Sequence, residues 1–279
     1  MDLDELRRRS LDSWDRFAPN WEEQRDYITA KTQPVYDALI NRLDPQQGET
    51  ILELAGGTGD LALAMAERVG DEGRVIYSDF APGMVDAARR RGEEVGASNV
   101  EYRVLDAERM DLDDGSVDGV VCRFGYMLMA DPAAALAETK RVLRDDGRLA
   151  FAVWGPPDTN KWAFIPGLTM VELGHLPPPD PNAPGIFAMG DPNRIRQLVT
   201  GAGFGEPEIE QVTVHWGYVD TDEHWEKTLK LAAPIADAFK SASPEAQERI
   251  AGTVAERVGV LLDDDPAGLD GVAHVALAR

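Results

Sequence analysis

The sequence predicts an α/β protein: a doubly wound, mostly parallel sheet with a helical amino-terminal cap and helical insertions near the carboxyl end. Three observations predict it. Short apolar runs alternate with amphipathic helical patterns from Thr50 to Trp154, which implies right-handed crossovers between parallel strands. The run Ile51–Leu54 ends in a glycine-rich turn that opens a helix, and an open α/β sheet places its ligands beyond such strand ends. The 279 residues are 43% apolar, enough for a sizeable core.

Residues 1–45 read as the helical cap. Trp14, Phe17 and Trp21 recur at helical spacing, and Pro19 is expected to break the run. Asn20 with Glu23 resembles a capping box. Pro34 is expected to open a second helix with the stripe Tyr36, Leu39, Ile40 and Leu43. Residues 46–155 form the core, with strands expected at 50–55, 75–79, 100–105, 117–123 and 149–154 and helices at 61–69, 82–95 and 133–143. Residues 156–190 read as a lid, a short apolar helix (Trp162, Phe164, Met170, Leu173) followed by a proline-rich loop from Pro177 to Pro184. Residues 191–279 complete the sheet with a helix at about 192–201 and strands at 207–219 and 272–277. A helical insertion at about 222–262 separates those two strands. It is expected to hold two amphipathic helices, one with Trp225, Leu229, Ala232, Ile235 and Phe239 on a face and one with Ile250, Val254, Val258 and Leu261. All four segments are expected to make one globular unit.

Fifty Asp and Glu against 28 Lys and Arg give a net charge of −22, the wrong sign for neutralising phosphates or binding anionic membranes. No apolar run reaches the roughly 18–20 residues that span a bilayer, and MDLDELRRRS carries no apolar signal region. A single cysteine excludes a disulfide scaffold. The expectation is a cytoplasmic protein, monomeric or homodimeric, that acts on a small molecule, with no nucleic acid, no integral membrane association and no metal.

Four strand ends carry candidate site residues, three of them read from the residues themselves. The segment Glu53-Leu54-Ala55-Gly56-Gly57-Thr58-Gly59-Asp60 lets backbone turn sharply and approach a ligand. It also fits the dinucleotide pattern G-x-G-x-x-A, so an NAD(P)-dependent oxidoreductase is one reading. Asp79 lies 20 residues beyond Gly59, the spacing at which a carboxylate meets an adenosine ribose, and is also placed to cap the next helix. Asp106 stands where a carboxylate can meet an adenine amino group, or is an ordinary loop aspartate. Electrostatics separates the cofactors: Glu53 and Asp60 beside a pyrophosphate repel it, whereas a sulfonium and an ammonium suit a carboxylate-rich rim. S-adenosyl-L-methionine carries both.

These segments, with Asp106-Ala107, the strand end Arg123-Phe124-Gly125 and the turn Leu143–Leu149, resemble class I S-adenosylmethionine-dependent methyltransferases. The resemblance is closest to the ubiquinone/menaquinone biosynthesis C-methyltransferase family and covers roughly residues 10–155. It implies a seven-stranded, Rossmann-like sheet and S-adenosyl-L-methionine as cofactor. By this resemblance Glu53, Gly57 and Thr58 line the methionine portion, with Ala55 and Gly56 also cofactor-binding, Asp79 holds the ribose hydroxyls, and Phe80 and Met84 flank the adenine. Asp106 and Ala107 meet the adenine edge, Arg123 lies beneath the transferring methyl, and Phe124 is a further cofactor-binding residue. The sequence departs from the general E-x-G-x-G-x-G pattern at Ala55, as the quinone-type subgroup also does, and reads Arg144-Asp145-Asp146-Gly147 where K-P-G-G is usual.

Past residue 155 the resemblance fades, so the acceptor is read from composition. Trp14, Trp21, Tyr27, Trp154 and Trp162 are candidates for an apolar chamber around a small hydrophobic or aromatic acceptor, quinol- or phenol-like, each also fitting ordinary core packing. His175 and then His215 are the candidate general bases, His224 and His274 read as surface or core positions, and Cys122 reads as an inert core thiol. A non-catalytic protein that binds the same cofactor is the remaining alternative.

Overall fold

A computed structural model of the chain describes residues 2–180, 183–264 and 269–279. Two helices come first, α1 (Leu3–Glu23) and α2 (Arg25–Leu43). The alternating core follows: β1 (Thr50–Leu54), α3 (Asp60–Val69), β2 (Arg74–Asp79), α4 (Pro82–Val95), β3 (Val100–Val104), β4 (Val117–Arg123), α5 (Pro132–Val142) and β5 (Leu143–Trp154). Beyond it lie α6 (Lys161–Glu172), α7 (Pro192–Gly201), β6 (Glu208–His215), α8 (Thr221–Leu231), α9 (Ala233–Ser241), α10 (Pro244–Asp264) and β7 (Asp270–Ala278). Part of the proline-rich stretch expected at 177–184 falls on residues 181–182, outside the described residues.

The seven strands form one sheet in the order β3-β2-β1-β4-β5-β7-β6. Neighbours among β1 to β5 pair parallel, while β7 runs against both β5 and β6. The doubly wound expectation therefore holds, and the order reverses between β1 and β4, where the carboxyl ends of two adjacent strands diverge into oppositely placed connections. Strands buried on both faces explain the near-continuous apolar runs: Ile51, Leu52, Leu54, Val120, Val121 and Phe151 are all fully buried. At the opposite end of the sheet Arg148 ties the end of α2 to the approach of β1. It donates to the carbonyls of Leu43 and Asp44 and to both carboxylate oxygens of Glu49.

Four local expectations are corrected. Pro19 does not break α1, which runs through it, and Asn20 is interior rather than a cap. The loss of one ladder bond, a cost of about 3 kcal/mol, is offset because α1 packs along α4: Ala18 is buried there and Asp15 Oδ1 accepts the Gly83 N–H at 2.7 Å. Asn20 instead donates to the Lys230 carbonyl. Pro34 likewise lies inside α2, which begins at Arg25, because the buried Val35, Tyr36 and Leu39 hold the helix on the sheet. The single helix expected to carry both Trp225 and Phe239 is two: Ala232 leaves helical geometry at φ −107° and ψ 86°, and Pro234 cannot extend the ladder from α8. The strand expected to reach Val219 stops at His215, and Gly217 at φ +57° turns the chain away from the sheet.

The packing of the first crossover yields a test. Gly59 has φ +83°, and an added Cβ would stand 2.7 Å from the Ala88 Cβ on α4. Gly59→Ala is expected to cost about 1–3 kcal/mol, read as a lower denaturant midpoint at unchanged slope. Gly96→Ala, at φ +73° but facing open space, carries only the backbone penalty, about 1 kcal/mol.

Candidate active site

The site sits where the sheet order reverses. Glu53, on β1, is 1% exposed, and its Oε2 finds no hydrogen-bond partner among the described residues. Arg123, the last residue of β4, lies beside it without forming an ion pair, its guanidinium 4.9 Å from the Tyr36 ring centre and 5.5 Å from that of Phe124. Burial pushes the Glu53 carboxyl up to about 8, helped by Asp60 and Asp79 and opposed by Arg123. A buried carboxyl with a bare oxygen is costly unless a partner completes it. A cationic group is the partner that would do so.

The glycine-rich turn is held from beneath. Ser78 Oγ donates to the Glu53 carbonyl at 2.7 Å, and Tyr77 Oη donates to the Gly57 carbonyl at 2.6 Å. Gly56 admits no side chain, since a Cβ there would meet the Tyr77 ring at 2.4 Å. Ala55 adopts φ +50°, the left-handed geometry that explains why a glycine is usual at this position. Asp79, which ends β2, accepts the Gly57 N–H at 3.1 Å and the Ala81 N–H at 3.0 Å, so it ties the turn to the α4 cap. Burial raises its carboxyl to about 6, against the pull of those amides. The Gly57 amide that a pyrophosphate would use is thus already given to a carboxylate, which counts against the dinucleotide reading. Asp60 is not bare: Thr58 Oγ1 donates to it at 3.1 Å, and Arg91 of α4 lies 3.5 Å away. Sequence spacing carried no signal of that cation, which arrives from the next helix.

Phe80 and Met84 follow Asp79 in the chain and pack with Trp14 and Trp21. The two indoles meet edge to face at 5.4 Å and pack with Leu11, Ala18, Phe80 and Met84 in a cluster separate from the main core. Trp14 and Trp21 were expected around the acceptor; the structure puts them over the α4 start because α1 docks there, clamped by Arg90 on Glu22. Asp106 accepts the Glu108 N–H at 2.9 Å in a local turn, and Ala107 is buried. Arg7 reaches over this loop to Glu108, at 2.7 Å from Nε.

On the other side of Arg123 the aromatic residues converge. Phe124, at φ +60°, stacks on Trp154 with ring centres 4.2 Å apart and planes 8° apart. Trp154 meets Trp162 at 5.1 Å, Trp162 meets Trp216 at 4.3 Å, and Tyr27 meets Trp216 at 6.3 Å. Tyr27, Trp154 and Trp162 are thus brought together as expected. Trp216, Tyr218 and His224 join them and were missed, the first two because they read as strand residues. Of the candidate bases, His215 lies 49% exposed at the sheet edge and pairs with Asp270 at 2.7 Å. His175 follows α6 and makes no ring contact with the chamber. His224 is wholly buried in it, and His274 bonds the Gly190 carbonyl at 3.0 Å. Burial raises the Cys122 thiol to about 12, so it is inert at neutral pH.

Comparison with known proteins fits this geometry. The profile of the ubiE/COQ5 methyltransferase family matches residues 10–157. The ubiquinone/menaquinone biosynthesis C-methyltransferase UbiE of Caulobacter sp. strain K31 is 34% identical over 155 residues, covering 52% of this chain. This chain spans about 60% of that relative's length. Nocamycin O-methyltransferase of Saccharothrix syringae is 32% identical over 209 residues, 74% of this chain and 72% of that one. Among solved structures, phosphoethanolamine N-methyltransferase 2 of Haemonchus contortus, in complex with S-adenosyl-L-methionine, superposes with a TM-score of 0.53. It is 16% identical over 87% of this chain and 51% of that chain, a likeness of fold alone.

Glu53 sets a pH test on the cofactor-free protein. Its carboxyl keeps its proton to about 8 when folded but loses it near the ordinary value of 4.5 when unfolded. Its stabilising contribution is therefore complete below 4.5 and lost as pH rises through 8. Asp79 follows the same sign but has finished by about 6. Between pH 6 and 8 the stability difference between wild type and Glu53→Gln is expected to change by about 1.4 kcal/mol per pH unit, in favour of the variant at high pH. Thermal melts across that range, with both proteins in the same buffers, check it.

Proposed function

Because the chain belongs to the ubiE/COQ5 methyltransferase family, we propose that it transfers a methyl group from S-adenosyl-L-methionine to a small planar acceptor, aromatic and of the quinol or phenol type, releasing S-adenosylhomocysteine. The observation that carries this reading is the buried carboxyl of Glu53, bare on Oε2 at the point where the sheet order reverses, with the aromatic chamber beginning next to it at Phe124. The residues fit a cationic cofactor: Glu53 would hold its positive end, and the turn from Ala55 through Gly56 and Gly57 to Thr58 gives the close backbone approach. Asp79 would hold the ribose hydroxyls, Phe80 and Met84 would flank the adenine, and Asp106 with Ala107 would meet its edge. When bound, S-adenosyl-L-methionine supplies an electrophilic methyl on sulfur.

The chain's own contribution is alignment and exclusion of water. Orientation of this kind is worth about 7–11 kcal/mol of barrier. Arg123 lies against Phe124, and the Phe124–Trp154 stack would give a flat wall for a planar acceptor. Of the relatives compared, the one matching more of this chain is an O-methyltransferase, which favours an oxygen nucleophile over carbon.

Two measurements test the reading. With methyl-labelled S-adenosyl-L-methionine and a panel of hydroquinones and phenols, label is expected in the organic extract; binding without any transfer across the panel would mean a non-catalytic cofactor protein. Asp79→Ala is expected to weaken S-adenosyl-L-methionine binding 10- to 100-fold, about 1.5–3 kcal/mol, by calorimetry. Unchanged affinity would displace the cofactor from this strand end.

A further inference from the structure

Two residues assigned above to the adenosine end of the cofactor are almost wholly buried, Met84 at 2% exposure and Asp79 at 6%. Helix α1 lies over this stretch. Leu11, Trp14, Ala18 and Trp21 pack on Phe80, Ala81 and Met84 in a seam separate from the main core, and Asp15 Oδ1 holds the Gly83 N–H. A nucleoside reaches side chains so placed only if their cover moves. The seam is suited to parting, because it is small and Trp21 Nε1 is buried without a hydrogen-bond partner among the described residues.

The two ends of α1 are held differently. At its carboxyl end helical geometry is interrupted at Gln24, a buried residue whose Oε1 accepts from the Lys227 ammonium of α8 at 2.6 Å. That bond pins a pivot. Along the helix, the pairs of Glu22 with Arg90 and Arg16 with Asp237 are largely exposed, and such pairs hold weakly in water. At the amino end Arg7 meets Glu108, whose side chain is only 4% exposed, and Nε donates to Oε2 at 2.7 Å. Glu108 Oε1 accepts the Asp131 N–H at 3.0 Å, and Asp106 Oδ1 accepts the Glu108 N–H at 2.9 Å. One buried carboxylate thus joins α1 to the Asp106 loop and to the start of α5. Lifting α1 strips that carboxylate of its cation, so this pair outweighs the exposed ones.

Resting on the cofactor reading above, we propose that α1 is a hinged strap over the adenosine end of the site, pivoting at Gln24 and latched by Arg7 on Glu108, and that this latch sets how fast the cofactor and its demethylated product exchange. Arg7 is a positioning residue that acts through Glu108. A latch that must open for entry and for exit slows both alike, so it governs rates more than affinity. Loss of Arg7 leaves Glu108 buried without its cation beneath a closed α1, which favours opening.

The test uses the full chain and S-adenosylhomocysteine. Stopped-flow tryptophan fluorescence follows association, and a chase of tritiated ligand with excess unlabelled ligand follows release. Arg7→Ala is expected to raise both rates about tenfold and to leave the dissociation constant within about threefold. Arg7→Lys keeps the charge and is expected to restore most of the wild-type rates. Glu108→Gln keeps an acceptor for the Asp131 N–H and is expected to act like Arg7→Ala. Glu22→Gln, at an exposed pair, is expected to change either rate less than about twofold. Hydrogen exchange on the ligand-free chain gives an independent reading: α1 amides are expected to exchange about tenfold faster in Arg7→Ala, with β1 and β4 unchanged. Faster release without faster association makes Arg7 an ordinary support of the bound state, and unchanged rates make α1 a fixed wall; either result overturns the strap. Glu22→Gln matching Arg7→Ala overturns the latch. Failure of S-adenosylhomocysteine to bind overturns the cofactor reading itself, and this inference with it, whatever the exchange of α1 shows.

Discussion

A carboxyl buried beneath the reversal in strand order is the constraint around which the site is arranged. Glu53 lies between β2 and β4, with Tyr77 and Val121 as its register neighbours. Water cannot solvate it, and Arg123 does not pair with it. The protein tolerates this because the glycine-rich turn, the Ser78 hydroxyl and the Asp79 carboxylate fix the surrounding backbone independently of the Glu53 side chain. A desolvated carboxyl of this kind is poised to gain far more from an incoming cation than an exposed one would.

The same point of the sheet concentrates backbone strain. Ala55 after β1 and Phe124 after β4 both take left-handed geometry, and their loops touch: a Cβ on Gly125 would lie 2.7 Å from that of Ala55. Non-glycine residues in this region cost free energy and persist only where surrounding packing over-determines them. At Phe124 the gain is visible, since the turn lays its ring flat on Trp154. One turn thus presents backbone at the point where the sheet order reverses, and the other lays an aromatic face on Trp154.

The two aromatic groups that composition alone merges into one apolar chamber are separate in space. Trp14 and Trp21 belong to α1 and seal the outside of the β2–α4 connection, whereas Tyr27 belongs to α2 and faces Trp216. The interruption of helical geometry at Gln24, between the two helices, divides them. Charge tells a parallel story: a rim that reads as purely acidic along the chain is partly balanced by Arg91 and Arg123, brought from α4 and β4.

By itself the sequence determined the sheet, its parallel crossovers and the positions of Glu53, Asp79 and Asp106 on or just past their strands, with Arg123 added as a site residue by resemblance alone. The sheet and those positions follow from local periodicity and from turns in which neighbouring residues act on one another. It could not determine that α1 and α2 run through Pro19 and Pro34, because the packing that offsets each lost hydrogen bond comes from α4 and the sheet. Nor could it single out Trp216 and His224. Both lie far along the chain from the glycine-rich turn, in a region where the return of β7 to the sheet carries Trp216 back over Trp154, its backbone N–H donating a hydrogen bond to the Leu269 carbonyl at 3.0 Å. Contacts of that separation leave no period and no spacing in a sequence; tertiary packing alone creates them.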